Sequence, residues 1–166
     1  MIQIRDNFLD SESYQEIVEM SDNVHYHEAE EYWKKYGASG GELVDYNWRA
    51  WDRCQRSDNY VDYLEDFVKK VNYTFDMRIS RLEFFRHPPD RFVEYAKNIE
   101  KHIDGRFEIS GVLYLPHGGE GYGTTIGEEY VEWKQNRCVV FPANILHNPH
   151  FGGIDRKILT FFGYYA

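Results

Sequence analysis

The feature that most constrains the fold of this chain is a change of sequence pattern near residue 77. After that point, short runs rich in β-branched and aromatic residues are separated by glycine and proline, as in a series of short strands and turns. The runs cover residues 77–86, 92–95, 107–115, 130–133, 137–141 and 157–165. The sequence therefore predicts a second half that is a β-sandwich or barrel, such as a jelly roll.

The first half predicts helices that support this β-structure. Asp10 is placed to cap a helix over about residues 11–21, and a second helix is predicted over 60–72. Apolar residues recur at helical spacing, with Tyr14, Ile17 and Val18 in the first segment and Val61, Leu64, Phe67, Val68 and Val71 in the second. Residues 22–58 follow no clear pattern. With helices first and strands later, the predicted class is α+β, mainly β.

Length and charge bound the organisation and the partners. The chain has 166 residues without a repeat or linker, so one domain over 1–166 is expected, with helical support over about 10–75 and a β-core over about 77–165. A net charge of −9 argues against phosphate-based binding, so no nucleic acid partner is expected. No apolar run could span a membrane, and no signal peptide is recognised. With two cysteines, reduced thiols and a cytoplasmic location are expected.

Three segments of the β-rich half carry residues that suit a metal ion and an anion. His102 and Asp104 are two positions apart, so in a strand their side chains would point to one side and could hold one ion. The pair alone is a weak signal, because a surface ion pair fits it equally well. His147 follows the strand at 137–141, and Arg156 comes nine residues later. Two histidines and a carboxylate suit non-haem Fe(II), and an arginine suits a carboxylate-bearing co-ligand.

In this order the residues resemble the 2-oxoglutarate and Fe(II)-dependent dioxygenases, especially the prolyl-4-hydroxylase-like branch. The resemblance covers residues 92–164, and the ordered set is far more specific than any one piece. It consists of Tyr95, His102-Ile103-Asp104, Gly111-Val112-Leu113-Tyr114-Leu115-Pro116, the glycine-rich stretch 118–125, Asn136-Arg137-Cys138-Val139-Val140-Phe141-Pro142, His147 and Arg156-Lys157-Ile158-Leu159-Thr160. The resemblance implies a double-stranded β-helix, or jelly roll, with N-terminal supporting helices.

The resemblance implies that His102, Asp104 and His147 are iron ligands. His150 lies close to His147 and is a competing candidate for the third ligand. His147 is preferred because its nine-residue spacing to Arg156 fits the family and a six-residue spacing does not.

The resemblance also implies a binding site for the cosubstrate. Arg156 matches the basic residue that binds the distal carboxylate of 2-oxoglutarate, and Tyr114 matches a tyrosine that shares this carboxylate. Tyr95 matches a tyrosine on the strand before the metal motif, although the spacing here is short. Pro116 departs from the family, where asparagine is common at this position.

The activity implied by the resemblance is hydroxylation of an unactivated C–H bond, with 2-oxoglutarate and O2 converted to succinate and CO2. Fe(II), 2-oxoglutarate and O2 are the implied cofactors, with ascorbate as an optional reductant, and the substrate is a protein, a peptide or a small molecule. Three alternatives stay open: a zinc-type hydrolase with the same two histidines and aspartate, a non-catalytic 2-oxoglutarate and metal sensor, and a structural β-domain. The sequence does not define the oligomeric state.

Several further residues have simpler interpretations. His25, His27, His87 and His117 lack a partner at ligand spacing and are predicted to lie at the surface or in turns. Thr124 and Thr125 are predicted to lie in an exposed turn. The aromatic residues between positions 32 and 51 are expected to pack a helix onto the sheet, with a substrate lid as the alternative.

Overall fold

The computed structural model describes residues 1–36, 54–91 and 106–166. Those ranges contain the helices α1 (Ser11–Asn23), α2 (Ala29–Tyr36) and α3 (Glu65–Phe75), and the short 3-10 helix Pro89–Arg91. They also contain the strands β1 (Gln3–Arg5), β2 (Gln55–Arg56), β3 (Met77–His87), β4 (Ile109–Tyr114), β5 (Thr124–Ile126), β6 (Glu129–Val131), β7 (Cys138–Pro142), β8 (His147–Pro149) and β9 (Arg156–Tyr165).

The strands form two antiparallel sheets. The major sheet has six strands in the order β1-β7-β4-β9-β3-β2, and the minor sheet has three in the order β6-β5-β8. Successive strands of the chain cross from one sheet to the other, since β4 lies in the major sheet, β5 and β6 in the minor sheet, and β7 in the major sheet again. This winding is that of a double-stranded β-helix, so the predicted fold class is confirmed.

One face of the major sheet packs against α1 and α3. Alternate residues of its central strands, such as Leu113, Val140 and Phe161, form this face and are buried. The helices contribute Tyr14, Ile17, Val18, Phe67, Val71 and Phe75 to the same core. Burying one such side chain contributes about 1.5–3 kcal/mol, so this layer holds the helices on the sheet.

The other face of the major sheet looks toward the minor sheet. A second buried cluster lies there, formed by Val112, Tyr114, Val139, Phe141 and Ile158 of the major sheet and Ile126 and Val131 of the minor sheet. Strand β4 alternates between the two cores, because successive side chains of a strand point to opposite faces. The six residues of β4 are all buried.

The helix boundaries refine the prediction from the sequence. The cap of α1 is confirmed, since Asp10 Oδ1 accepts a hydrogen bond from the Ser13 backbone N–H at 2.8 Å. The second helix was predicted too early: α3 begins at Glu65, because the Tyr60 N–H donates to the Leu82 carbonyl at 2.7 Å and ties the preceding segment to β3. None of the described helices is long and apolar enough to cross a membrane.

The elements that the sequence did not predict are the short ones. Helix α2 has eight residues, and β2, β5 and β8 have two or three residues each. A strand of three residues shows too little alternation to be recognised from its sequence. The predicted strand at 92–95 lies outside the described residues.

We expect Gly111→Ala to destabilise the fold. Gly111 lies opposite Phe161 on the helix-facing side of the sheet, and a Cβ at this position would overlap the Phe161 ring. Overpacking of this kind costs about 1–3 kcal/mol. Gly119→Ala is the matched control, since a Cβ there meets nothing within 4 Å. Urea unfolding of both variants tests the expectation, and equal free energies of unfolding would contradict it.

Candidate functional site

Strand register brings Arg156 and Tyr114 to the same face of the major sheet. Tyr114 of β4 pairs with Ile158 of β9, and Arg156 lies two residues before Ile158. Residues directly opposite each other, and residues two apart in one strand, share a face. Both side chains therefore point into the space between the two sheets.

Arg156 is a buried cation surrounded by neutral partners. Its side chain has no exposed surface. Its Nε donates to the Tyr122 carbonyl at 3.0 Å, one terminal nitrogen donates to the Gly123 carbonyl at 3.3 Å, and the other lies 3.4 Å from His87 Nδ1. Among the described residues no carboxylate forms an ion pair with it. Burial lowers the pKa of the Arg156 guanidinium, because removal from water disfavours the charged form.

Tyr114 joins the major sheet to the minor sheet. Its hydroxyl lies 2.6 Å from Thr124 Oγ1 on β5, and both residues are buried. Burial raises the pKa of the Tyr114 hydroxyl, and the nearby charge of Arg156 opposes this effect. Thr124 is therefore part of the buried face, and its predicted place in an exposed turn is wrong because strand β5 begins there.

His147 faces the same interior from the minor sheet. It opens β8, is buried, and pairs with Ile126 of β5. Its ring packs against the edge of Phe141 on the major sheet, with ring centroids 4.7 Å apart. His147 Nδ1 lies 2.7 Å from the Ile145 carbonyl, so Nδ1 is the hydrogen-bond donor in this contact. A histidine whose Nδ1 donates to a backbone carbonyl is oriented to bind a metal ion through Nε2.

His150 lies in a different environment from His147. Its Nε2 is 2.7 Å from Thr125 Oγ1, and its ring lies 4.9 Å from the ring of Tyr130. Thr125 is adjacent to Thr124 in β5 and so points to the opposite side of the minor sheet. The two histidines thus face different sides of the minor sheet.

Three of the predicted site residues lie outside the described part of the chain. These are His102, Asp104 and Tyr95. Of the predicted set, the structure thus brings together His147, Tyr114 and Arg156.

His87 is a buried residue that the sequence analysis placed at the surface or in a turn. It ends β3 directly opposite Arg156, is 3% exposed, and stacks on Phe151 with ring centroids 4.6 Å apart. Burial, followed by the charge of Arg156, holds the pKa of His87 well below its ordinary value. The neutral ring then accepts a hydrogen bond from Arg156 and adds no charge. A lone histidine at a strand end carries no sequence signal for this position.

The face of β9 that carries Arg156, Ile158 and Thr160 lies next to a buried carboxylate of the neighbouring strand β3. Thr160 of β9 lies opposite Glu83 of β3, which has no exposed surface. Glu83 accepts hydrogen bonds from Arg56 at 2.7 Å, Arg81 at 3.1 Å and the Tyr32 hydroxyl at 2.5 Å. Burial alone would raise the pKa of Glu83, but the two arginines hold it below its ordinary value. Tyr32 thus packs α2 onto the sheet, as expected for an aromatic residue of this segment.

Comparisons with known proteins identify the fold. No family model and no curated protein matches the chain. Among solved structures, a 2OG-Fe(II) oxygenase family oxidoreductase from Burkholderia pseudomallei is similar at a TM-score of 0.63 and 10% identity, over 97% of this chain and 82% of that chain. A prolyl-4-hydroxylase from Pseudomonas putida is similar at a TM-score of 0.58 and 16% identity, over 98% and 92% of the two chains.

A third similar structure contains a peptide. It is a prolyl hydroxylase from Trichoplax adhaerens in complex with a fragment of the hypoxia inducible factor oxygen degradation domain, with a TM-score of 0.56 and 13% identity, over 98% of this chain and 83% of that chain. At these identities the likeness concerns the fold. The resemblance in fold to 2OG-Fe(II) oxygenases and prolyl-4-hydroxylases that the sequence predicted is therefore confirmed.

We expect His87 to make the fold less stable as the pH falls. Because its pKa is lowered in the folded state, the unfolded chain takes up a proton below about pH 6.5 that the folded chain does not. The stabilisation from His87 is complete above about pH 6.5. As the pH falls from there toward the lower pKa of His87 in the folded state, the free energy of unfolding decreases by up to about 1.4 kcal/mol per pH unit. In His87→Gln, which keeps an acceptor for Arg156, the fall in unfolding free energy between pH 7.5 and 5.5 should be smaller. An identical fall in both proteins would contradict this assignment.

Proposed function

We propose that this protein is a 2-oxoglutarate- and O2-dependent Fe(II) hydroxylase that acts on an unactivated C–H bond and releases succinate and CO2. The observation that carries the proposal is Arg156, a fully buried cation with neutral hydrogen-bond partners, on the face that also bears Tyr114. A buried guanidinium with neutral hydrogen-bond partners favours the binding of an anionic ligand from solution. His147 faces the same space from the other sheet.

The residues present fit the implied groups. His147, whose Nδ1 contacts the Ile145 carbonyl, would bind through Nε2, and His102 and Asp104 would complete two histidines and one carboxylate, the set that suits non-haem Fe(II). Arg156 and Tyr114 would hold the distal carboxylate of 2-oxoglutarate, because a guanidinium matches the geometry of a carboxylate and a hydroxyl can donate to it. Tyr95 is proposed to contact the same cosubstrate. When bound, the iron and 2-oxoglutarate supply the oxidising chemistry.

The protein's own residues contribute positioning and the exclusion of water. Phe141 and Ile158 lie beside His147 and Arg156 and are buried, and such an apolar lining strengthens electrostatic interactions in the space between the sheets. Thr124 orients the Tyr114 hydroxyl. His87 stays neutral next to Arg156, and so leaves the positive charge of the guanidinium in place.

The net charge of −9 means that long-range attraction does not bring a dianion to this protein. Capture of 2-oxoglutarate then depends on the local charge of Arg156 and of a metal ion. We propose a protein or peptide as the substrate, by analogy with the peptide complex of the similar prolyl hydroxylase. The acidic balance favours a cationic peptide.

We expect Mn(II) together with 2-oxoglutarate to stabilise the protein through Arg156 and His147. A ligand at a hundredfold excess over its Kd adds about 2.7 kcal/mol, which raises Tm by several degrees. Arg156→Gln and His147→Ala should lose most of this rise, because each removes one attachment point. Differential scanning fluorimetry with and without ligands measures it.

Two controls separate this effect from a general loss of stability. Arg78→Gln makes the same change at an exposed position of β3, and His150→Ala removes the competing histidine. Both should keep the full rise in Tm. No rise in the wild type, or equal loss in His150→Ala and His147→Ala, would contradict the site.

We expect Asp104→Ala to abolish formation of succinate from 2-oxoglutarate, because it removes the only carboxylate of the proposed metal site. Succinate release is measured under air with Fe(II), ascorbate and a panel of cationic proline-containing peptides. Asp90→Ala, at an exposed aspartate of the 3-10 helix, should retain the activity. Unchanged turnover in Asp104→Ala would overturn the assignment. Binding of 2-oxoglutarate by the wild type without succinate release against broad substrate libraries would favour a sensor instead.

A further inference from the structure

We propose that His25, His27 and Glu31 form a second metal site, for a divalent transition metal ion such as Zn2+. The site lies on the segment that leads into α2 and is separate from the residues around Arg156. The proposal does not rest on the proposed hydroxylase activity.

The three side chains converge on one point. One ligand atom from each residue lies within 4.8 Å of the others. His25 Nε2 and His27 Nδ1 are both 2.8 Å from the same oxygen, Glu31 Oε1. Atoms bound to one Zn2+ ion at about 2.0–2.2 Å lie roughly 3–3.5 Å apart in a tetrahedral site, so a small adjustment would admit the ion.

Local structure accounts for this convergence. His25 and His27 are two apart in the extended segment before α2, which brings two alternate side chains to one side. The backbone of His27 is fixed by a pair of hydrogen bonds to Arg56 of β2, at 2.8 and 3.1 Å. Glu31 lies in the first turn of α2, four residues after His27, and reaches back over it.

His27 lies between two carboxylates. Its Nδ1 is 2.8 Å from Glu31 Oε1 and its Nε2 is 2.8 Å from Asp58 Oδ1. A divalent ion held by His27 Nδ1 and Glu31 would leave Nε2 as the hydrogen-bond donor to Asp58.

A metal-bound histidine usually donates its other ring N–H to a carboxylate, a carbonyl or a water molecule, and Asp58 is placed to accept this hydrogen bond from His27. It accepts hydrogen bonds from Lys35 at 2.8 Å and from the Tyr36 hydroxyl, in addition to His27 Nε2. Although burial would raise its pKa, these donors hold the pKa of Asp58 below the ordinary value, so it is an anion at neutral pH. A carboxylate that accepts a hydrogen bond from one ring nitrogen fixes the orientation of the imidazole. It also makes the other ring nitrogen a more basic metal ligand.

The ligand types define the class of ion. Two imidazoles and one carboxylate suit Zn2+ and its neighbours, whereas Ca2+ and Mg2+ prefer oxygen ligands throughout. The side chains of His25 and Glu31 are 65% and 52% exposed, so the ion has open access and water can complete its coordination. The ion would fix the position of the first turn of α2. This helix also carries Tyr32, whose hydroxyl donates a hydrogen bond to Glu83 in the major sheet.

We test the site by counting Zn2+ ions bound to metal-free, full-length protein with isothermal titration calorimetry. His147→Ala serves as the background, because it removes a ligand of the candidate iron site. We expect one tightly bound Zn2+ in this background, at least tenfold weaker binding after His25→Ala or Glu31→Gln, and a loss of 10- to 100-fold after Asp58→Asn. His117→Ala is the matched control at another surface histidine and should leave the affinity unchanged.

A second measurement keeps His147 intact. Long-range 1H–15N spectra of the wild type should show Zn2+ shifting the ring nitrogens of His25 and His27, and Glu31→Gln should remove the shift. The proposal is overturned if Zn2+ leaves both rings unchanged, or if Glu31→Gln and His25→Ala bind Zn2+ as tightly as their background. If the wild type shows no rise in Tm with Mn(II) and 2-oxoglutarate but still binds Zn2+ through these three residues, only the proposed hydroxylase function is overturned.

Discussion

The space between the two sheets is organised around the burial of one cation. Arg156 has no exposed surface, and its hydrogen bonds go to two backbone carbonyls and a neutral histidine. Taking a charge out of water costs several kcal/mol, and neutral dipoles offset only part of this cost. A bound anion would supply the rest. Stability of the fold and affinity for the proposed anionic ligand would therefore be coupled at this residue.

The layers of the protein meet at Tyr114. Its carbonyl accepts a hydrogen bond from the Tyr14 hydroxyl of α1 at 2.9 Å, and its own hydroxyl lies 2.6 Å from Thr124 of the minor sheet. One residue of β4 thus connects the helices, the major sheet and the minor sheet. Helix α1 therefore supports Tyr114 directly, because a shift of α1 would displace the backbone that carries the Tyr114 side chain.

How much the sequence predicts depends on the length of each pattern. The cap at Asp10, the long strands and the double-stranded β-helix follow from local chemistry and from the order of the motifs. Thr124 and His87 were misplaced because their burial comes from neighbours distant in sequence, Tyr114 in one case and Arg156 in the other. Glu83 was not recognised as buried, since its two arginine partners come from β2 and from its own strand. The roles of His102, Asp104 and Tyr95 stay predictions.

Strand β4 has a consequence for motion. Because all six of its residues are buried between two cores, its amide protons can exchange with solvent only when the whole domain opens. The centre of the major sheet is therefore expected to open more rarely than its edges. The minor sheet has three strands of three residues each, and its local opening costs less. Amide exchange is therefore expected to be slow in β4, which carries Tyr114, and faster in the three short strands of the minor sheet.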